Sequence, residues 1–370
     1  MERTSQVSEG MVMDQSRMKS LRFLEIEIEL ISPAIIPSRM TRSGYTRPLD
    51  YIPGSTLRGA LLATLYRFGY VDKEMIRREA NEPSVLSSSA YPIKTIEEPT
   101  TNKALSHYTL PATPTTFRCR ICGRTVLNLG RFTVQDLSLG EPHLVAECSE
   151  HGPMKSLYTM PIYRYGDDIR VFKPRTIYTT SVSIHKELGV AMRGMLFSYE
   201  AIAEGTKFWA RLVVPDYVAE KLPERLNVTI GRGSSRGFGH SSVRIKSSKN
   251  ITNSETTSGV FISLSPLVPL SRLSYGGCEV RIRGLLGRLT RMFSGWDMLL
   301  GRRRPLIKLV KPGAIVRAEI SCGDSENTKI FAALLSYGGI PIRLDDTWLT
   351  GFNVLVPVNE YEKLLGESLE

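Results

Sequence analysis

Long apolar runs are missing from this sequence. None approaches the about 20 residues that a bilayer-spanning helix needs, so a membrane protein built on helices is not expected. Residues 1–19 lack the apolar core of a secretory signal and are read as a polar, disordered tail. Cysteine is scarce and odd in number, 5 in 370 residues, which argues against a disulfide framework. These absences together give a cytoplasmic reading. Acidic residues are also in deficit: 37 Asp and Glu against 48 Lys and Arg leave a formal charge of +11. An excess of that size is what a nucleic-acid or anionic-surface binder carries. No Walker lysine follows any glycine-rich stretch, so a nucleotide or other small-molecule substrate is not expected.

What is present centres on Ile230–Arg244, with four glycines, three arginines and four serines between two β-type segments. Gly231, Gly233, Gly237 and Gly239 allow positive φ and leave backbone N–H groups bare of side chains. Such N–H groups form anion-binding concavities. Arg232 and Arg236 add forks that fit phosphate. With Ser234, Ser235, Phe238 and His240, the loop is a candidate site for an extended polyanion, and the family resemblance given below makes that polyanion RNA. A second candidate is the start of a helix over 51–69. There Pro53 and Gly54 make a tight turn, Ser55 or Thr56 offers an N-cap, and Gly69 a stop. Gly54, Ser55 and Arg58 stand at its positive dipole end, a ready anion site. Arg39 and Arg42 lie in a polar loop just before it, expected to be exposed and basic. Tyr51 and Phe238 are candidates for stacking on a base.

Along the chain, Leu24, Ile26, Ile28 and Leu30 alternate with Glu25, Glu27 and Glu29, the pattern of a half-buried strand with its carboxylates toward water. Residues 80–116 read as loop. Strands are expected at 170–172, 177–180 and 208–214, with a β-hairpin arm between the second and third and a short helix at 217–222. Residues 247–258 are polar and read as a linker. Beyond it, strand, helix, glycine pair and strand recur in looser form. The fold class this implies is α+β: two ferredoxin-like (RRM-like) domains, the first at 20–246 with an insertion at about 80–165 and a hairpin arm, the second, degenerate, at 259–370.

Cys119 and Cys122, then Cys148 and His151, form two knuckles, each followed by glycine. Three thiolates and an imidazole make one tetrahedral zinc set. His143 is an alternative to His151 as the nitrogen ligand. Four protein ligands leave no open position, so the zinc is expected to be structural, stapling an insertion poor in apolar residues.

Tyr51-Ile-Pro-Gly-Ser-Thr-Leu-Arg-Gly-Ala60 and the loop at 231–239 together resemble the RAMP superfamily of CRISPR effector subunits. The stretch 188–209, with Met192-Arg-Gly-Met-Leu-Phe197, is similar to that family's hairpin. With a zinc-bearing insertion and two domains, the chain looks most like the large subunit that binds the five-prime tag in a type III complex, subtype D favoured. The resemblance implies a non-catalytic subunit. It would hold the repeat-derived tag of the CRISPR RNA and cap the backbone RAMP subunits beside the large signalling subunit. A second family-like glycine loop, expected near 338–351, is degraded in this chain. The alternative is a metal-independent endoribonuclease that processes the RNA with His240 or His185 as acid or base.

Overall fold

The computed structural model describes residues 20–38, 47–97, 104–129, 144–250, 254–293, 296–297, 302–303, 306–344 and 347–369, and side chains within these except at 193–197, 292–293, 296–297, 302–303 and 368–369. Arg39, Arg42 and His143 lie outside the described residues. So does the tail at 1–19.

The chain is a mixed α and β protein, mostly strands. Its first sheet is antiparallel. Across it run Arg225–Thr229, His240–Asn250, Leu21–Leu30, Lys207–Pro215, Tyr91–Glu97, Ala104–Tyr108 and Ser368–Leu369, with Leu86–Ser87 also pairing Lys207–Pro215. Leu21–Leu30, which alternates over 24–30, is an inner strand paired on both sides. One face is covered by the helix Gly54–Arg67, which buries Leu57, Leu61, Leu62 and Leu65 against Ile26, Ile28 and Val228. Each such side chain contributes about 1.5–3 kcal/mol of transfer free energy.

The other face does not meet water throughout. Leu21, Phe23 and Val213 share a core with Phe261, Val316, Phe331 and Leu355 of the second half. That half is a five-stranded antiparallel sheet in the order Arg272–Tyr275, Cys278–Leu286, Ile315–Ser321, Ser258–Ser263, Leu355–Pro357. Its helix Ser325–Tyr337 lies against Lys207–Pro215, and Asp324 caps that helix through a bond accepted from the Asn327 N–H. The glutamates expected in water are therefore half-buried. The guanidinium of Arg211, buried and stacked 4.4 Å from the Tyr337 ring, faces Glu25 and pairs with Glu360.

Several sequence expectations change. Residues 80–116 are not loop: Tyr91–Glu97 and Ala104–Tyr108 are strands of the main sheet, and Lys73–Asn81 is a helix capped by Asp72. Their Ser, Thr and Pro content misled because these polar groups are satisfied inside, as with Thr109 Oγ1 donating to the Pro92 carbonyl and the Thr113, Thr115 and Thr116 hydroxyls bonding one another. Residues 247–250 are not linker but the exposed end of a strand. The strand Leu355–Pro357 is short and passes into a helix, Val358–Gly366. Among the described residues no helix is long and apolar enough to cross a membrane. Cys278 and Cys322, on strands of the second sheet and just after one, form a disulfide, against the expectation from an odd cysteine count.

Candidate nucleic-acid interface and metal centre

The glycine-rich loop joins the edge strand Arg225–Thr229 to its neighbour His240–Asn250. All four of its glycines have positive φ, from 79° to 91°. Two of them are forced by contact. A Cβ on Gly239 would lie 2.1 Å from the Ile230 carbonyl oxygen, and one on Gly231 would lie 2.5 Å from that of Ile35. The loop is thus pinned at both roots: the Gly239 N–H donates to the Pro33 carbonyl and the Arg232 N–H to that of Ile35. Between the roots, Ser234–Arg236 form one 3-10 turn closed by Gly233 and Gly237. Arg232, Ser234, Ser235, Arg236, Gly237 and His240 are exposed, and Phe238 is half-buried beneath Gly233.

The expectation of many bare N–H groups is too generous. Those of Arg232, Arg236, Gly237, Phe238, Gly239 and His240 have acceptors within the chain. Those of Gly233, Ser234 and Ser235 have none among the described residues, so the exposed tip is where donors remain. The Arg236 guanidinium stacks 4.6 Å from the ring centroid of Tyr199. Tyr199 sits on the second strand of a hairpin, Thr176–Ile184 with Ala191–Ile202, that pairs with no other sheet among the described residues. The expected arm is present, and this contact joins it to the loop.

The helix tip is not the open anion site that its sequence offers. Pro53, not Ser55 or Thr56, precedes the helix, and no side chain caps it. Gly54 is buried: a Cβ there would meet the Ser87 carbonyl oxygen at 2.4 Å. A Cβ on Gly351 would meet the Ser55 nitrogen at 2.1 Å, so the second half lies directly on this tip. Arg58 turns inward, 7% exposed, with Nε donating to the Val85 carbonyl at 2.7 Å and Nη2 to Glu79 Oε2 at 2.6 Å. Its charge is answered inside the protein, which corrects the expectation of an RNA contact there. Tyr51 is likewise taken, stacked 5.5 Å from Tyr91, with burial pushing its phenol pKa up.

Of the two histidines considered for proton transfer, His240 has an exposed ring with no partner among the described residues. Its backbone N–H donates to Ser32 Oγ. His185 is part of the hairpin bend, its Nδ1 accepting from the Leu188 N–H at 3.4 Å. The pair is not brought together with a carboxylate by any contact among the described residues.

Cys119, Cys122, Cys148 and His151 converge, with one ligand atom of each within 4.8 Å of the others. Gly123 and Gly152, at φ 76° and 74°, turn the chain after each pair. Cys119 lies at the end of Thr116–Arg118 and Cys148 in a two-residue strand paired with Gly152–Pro153. Backbone N–H groups of Cys122 and Ile121 point at the Cys119 sulfur and hold its pKa down to about 6. The distances fit a metal: Cys122 Sγ to Cys148 Sγ is 3.8 Å and Cys148 Sγ to His151 Nδ1 is 3.6 Å. Tetrahedral zinc with Zn–S of about 2.3 Å requires a sulfur–sulfur edge of about 3.8 Å. The donor set is complete without a further residue.

Residues 27–242 match the family described as "RAMPs: RAMP superfamily". Among solved structures, the chain is similar to one in a type III-B Cmr-beta complex bound to cognate target RNA and AMPPnP. The identity is 13% and the TM-score 0.46, over 79% of this chain and 86% of that one. It is also similar to oligomeric Cmr4 from Pyrococcus furiosus, at 14% identity and a TM-score of 0.27, over 63% of this chain and 100% of that one. Likenesses this distant decide neither pose nor role. No curated protein matches.

Proposed function

The chain belongs to the RAMP superfamily, and on that footing we propose that it is a non-catalytic RNA-binding subunit of a type III CRISPR effector complex. Its task is to hold the five-prime, repeat-derived tag of the CRISPR RNA in the cytoplasm, at the end of the backbone RAMP subunits and beside the large signalling subunit. We read the first sheet, whose four principal strands run fourth, first, third, second, and the second sheet, which has the same order reversed, as two ferredoxin-like units.

The observation that carries this reading is the loop at 231–240. It is exposed, its path is set by four positive-φ glycines, and it presents Arg232 and Arg236 beside the free N–H groups of its tip. Such an arrangement takes phosphates without selecting bases. Basic residues around it are consistent with the formal charge of +11. Zinc at Cys119, Cys122, Cys148 and His151 would have a closed shell of four protein ligands, so we assign it to holding the insertion together.

Cleavage is the second reading, since His240 stands exposed at the loop's exit. The binding role is favoured because neither His240 nor His185 has a carboxylate contact among the described residues, and His185 Nδ1 is occupied. One experiment separates them. Purified protein is mixed with a labelled repeat RNA. Binding without cutting, weakened at least tenfold by Arg232→Glu with Arg236→Glu, is the expected result. Specific cutting that disappears in His240→Ala would replace the binding role with a catalytic one.

A further inference from the structure

Against the metal knuckle, with Cys119 and Cys122 in its wall, lies a cleft of about 520 Å³, within the size range of ligand sites. Ten residues line it; three are cations, Arg118, Arg120 and Lys155, and none carries a carboxylate. All three cations are exposed, and none is in an ion pair among the described residues. The Arg118 guanidinium lies across Gly123, with Nη2 3.5 Å from where a side chain there would begin. The floor is aliphatic, with Leu157 buried and Val171 half-buried. At the lip, Ile121 stands 72% exposed, an aliphatic side chain available to a partner beside the three cations.

From this arrangement we propose that the cleft docks an acidic segment of a partner protein, one that inserts an aliphatic side chain into the floor and sets carboxylates on the three cations. An apolar centre inside a charged rim is the anatomy of a protein–protein contact. Single-stranded RNA fits it less well. The ten lining residues include no aromatic ring for a base to stack on, and an aliphatic floor would stay unmatched under a sugar–phosphate strand. The site is separate from the glycine-rich loop and does not depend on the RNA-binding reading. The knuckle's strands hold its shape: Thr116–Arg118 pairs with both Thr125–Leu127 and Lys155–Ser156, which brings Arg118 opposite Lys155.

The test uses the full chain and three fluorescent probes read by anisotropy. They are a peptide of Asp-Leu-Glu-Leu repeated three times, its amide counterpart with Asn and Gln, and a twelve-nucleotide oligouridylate. The acidic peptide should bind at least tenfold tighter than the amide one. Arg120→Glu with Lys155→Glu should remove that preference, and Ile121→Asp should weaken the acidic peptide at least threefold. Zinc content measured on each variant checks that the knuckle is intact; if charge reversal disturbs it, Arg120→Gln with Lys155→Gln is read instead. The same variants should change oligouridylate binding less than threefold. Equal binding of the two peptides, or a loss of oligouridylate as large as that of the acidic peptide, overturns the proposal, the latter outcome making the cleft a nucleic-acid site. The loop variants at Arg232 and Arg236 leave this cleft untouched, so a failure here and a failure of the RNA-binding reading are distinct results.

Discussion

Glycine-to-alanine changes within one loop test whether its shape, rather than its charge, positions the RNA contacts. Gly237 and Gly239 have nearly the same φ, 83° and 79°, so both changes incur the left-handed penalty of about 1–2 kcal/mol. Their surroundings differ. A Cβ at Gly237 meets nothing within 4 Å, whereas one at Gly239 would lie 2.1 Å from the Ile230 carbonyl oxygen. Ordinary contact there needs the backbone to retreat by on the order of 1 Å, which strains the bond from the Ile230 N–H to the Gly239 carbonyl. Losing that bond adds about 1 kcal/mol and the displaced backbone more, for a total of about 2–4 kcal/mol. The loop root then moves, and Arg232 and Arg236 move with it. Thermal unfolding should rank the proteins wild type, Gly237→Ala, Gly239→Ala. Anisotropy with a repeat-derived RNA should show Gly237→Ala near wild type and Gly239→Ala weaker by about tenfold, equivalent to about 1.4 kcal/mol. Equal RNA affinity in Gly239→Ala and wild type would refute the idea that a fixed loop path presents the arginines.

Other outcomes follow from the same geometry. Glu79→Ala removes the carboxylate that neutralises the buried Arg58 guanidinium and accepts from the Ser84 and Val85 N–H groups, so unfolding stability should fall by about 3–5 kcal/mol while RNA affinity of the folded fraction is unchanged. RNA binding should weaken with salt, with log K changing by about −0.7 per phosphate contacted against log salt, and Arg232→Gln should reduce that slope by about one contact. Metal analysis of protein purified without chelator should give one zinc per chain, lost in Cys148→Ser, and a strong chelator should expose the insertion to protease. Replacing Cys278 and Cys322 by serine releases a closure between residues 44 apart, worth about 4 kcal/mol in the chain-entropy account, read as a lower unfolding midpoint.

The sequence made some of these features legible and hid others for physical reasons. Strict alternation over 24–30 found the strand that runs from Leu21 to Leu30, and the Cys and His spacing found the four residues that converge as a candidate metal set, because both signals are local. The positive φ of the loop glycines was readable for the same reason. Burial of Arg58 was not, because its partner Glu79 lies 21 residues away on a helix that the charged stretch 73–81 does not advertise. The disulfide was missed because an odd count of cysteines describes the chain, while the Cys278–Cys322 contact is set by the pairing of two strands. Serine, threonine and proline suppressed the strands at 91–108, since composition cannot tell a solvated hydroxyl from one bonded inside a sheet.

The helix tip and the second half's glycines explain each other. Gly338, Gly339 and Gly351 do not form a second anion loop; each is required by close packing. A Cβ would meet Leu86 Cβ at 2.5 Å, the Phe352 carbonyl oxygen at 2.2 Å and the Ser55 nitrogen at 2.1 Å respectively. Two backbones approach this closely only where both lack side chains, and here Gly351 faces Gly54. The Pro-Gly-Ser turn that reads as a phosphate site in sequence therefore serves as the socket for the second half. An anion could reach it only by separating surfaces that also hold the Arg211–Glu360 pair and the shared core around Phe23 and Phe331. On the RNA-binding role proposed above, contact by the described part of the first half would fall to the loop at 231–240 and the hairpin that Arg236 touches, a narrower site than the sequence alone outlines.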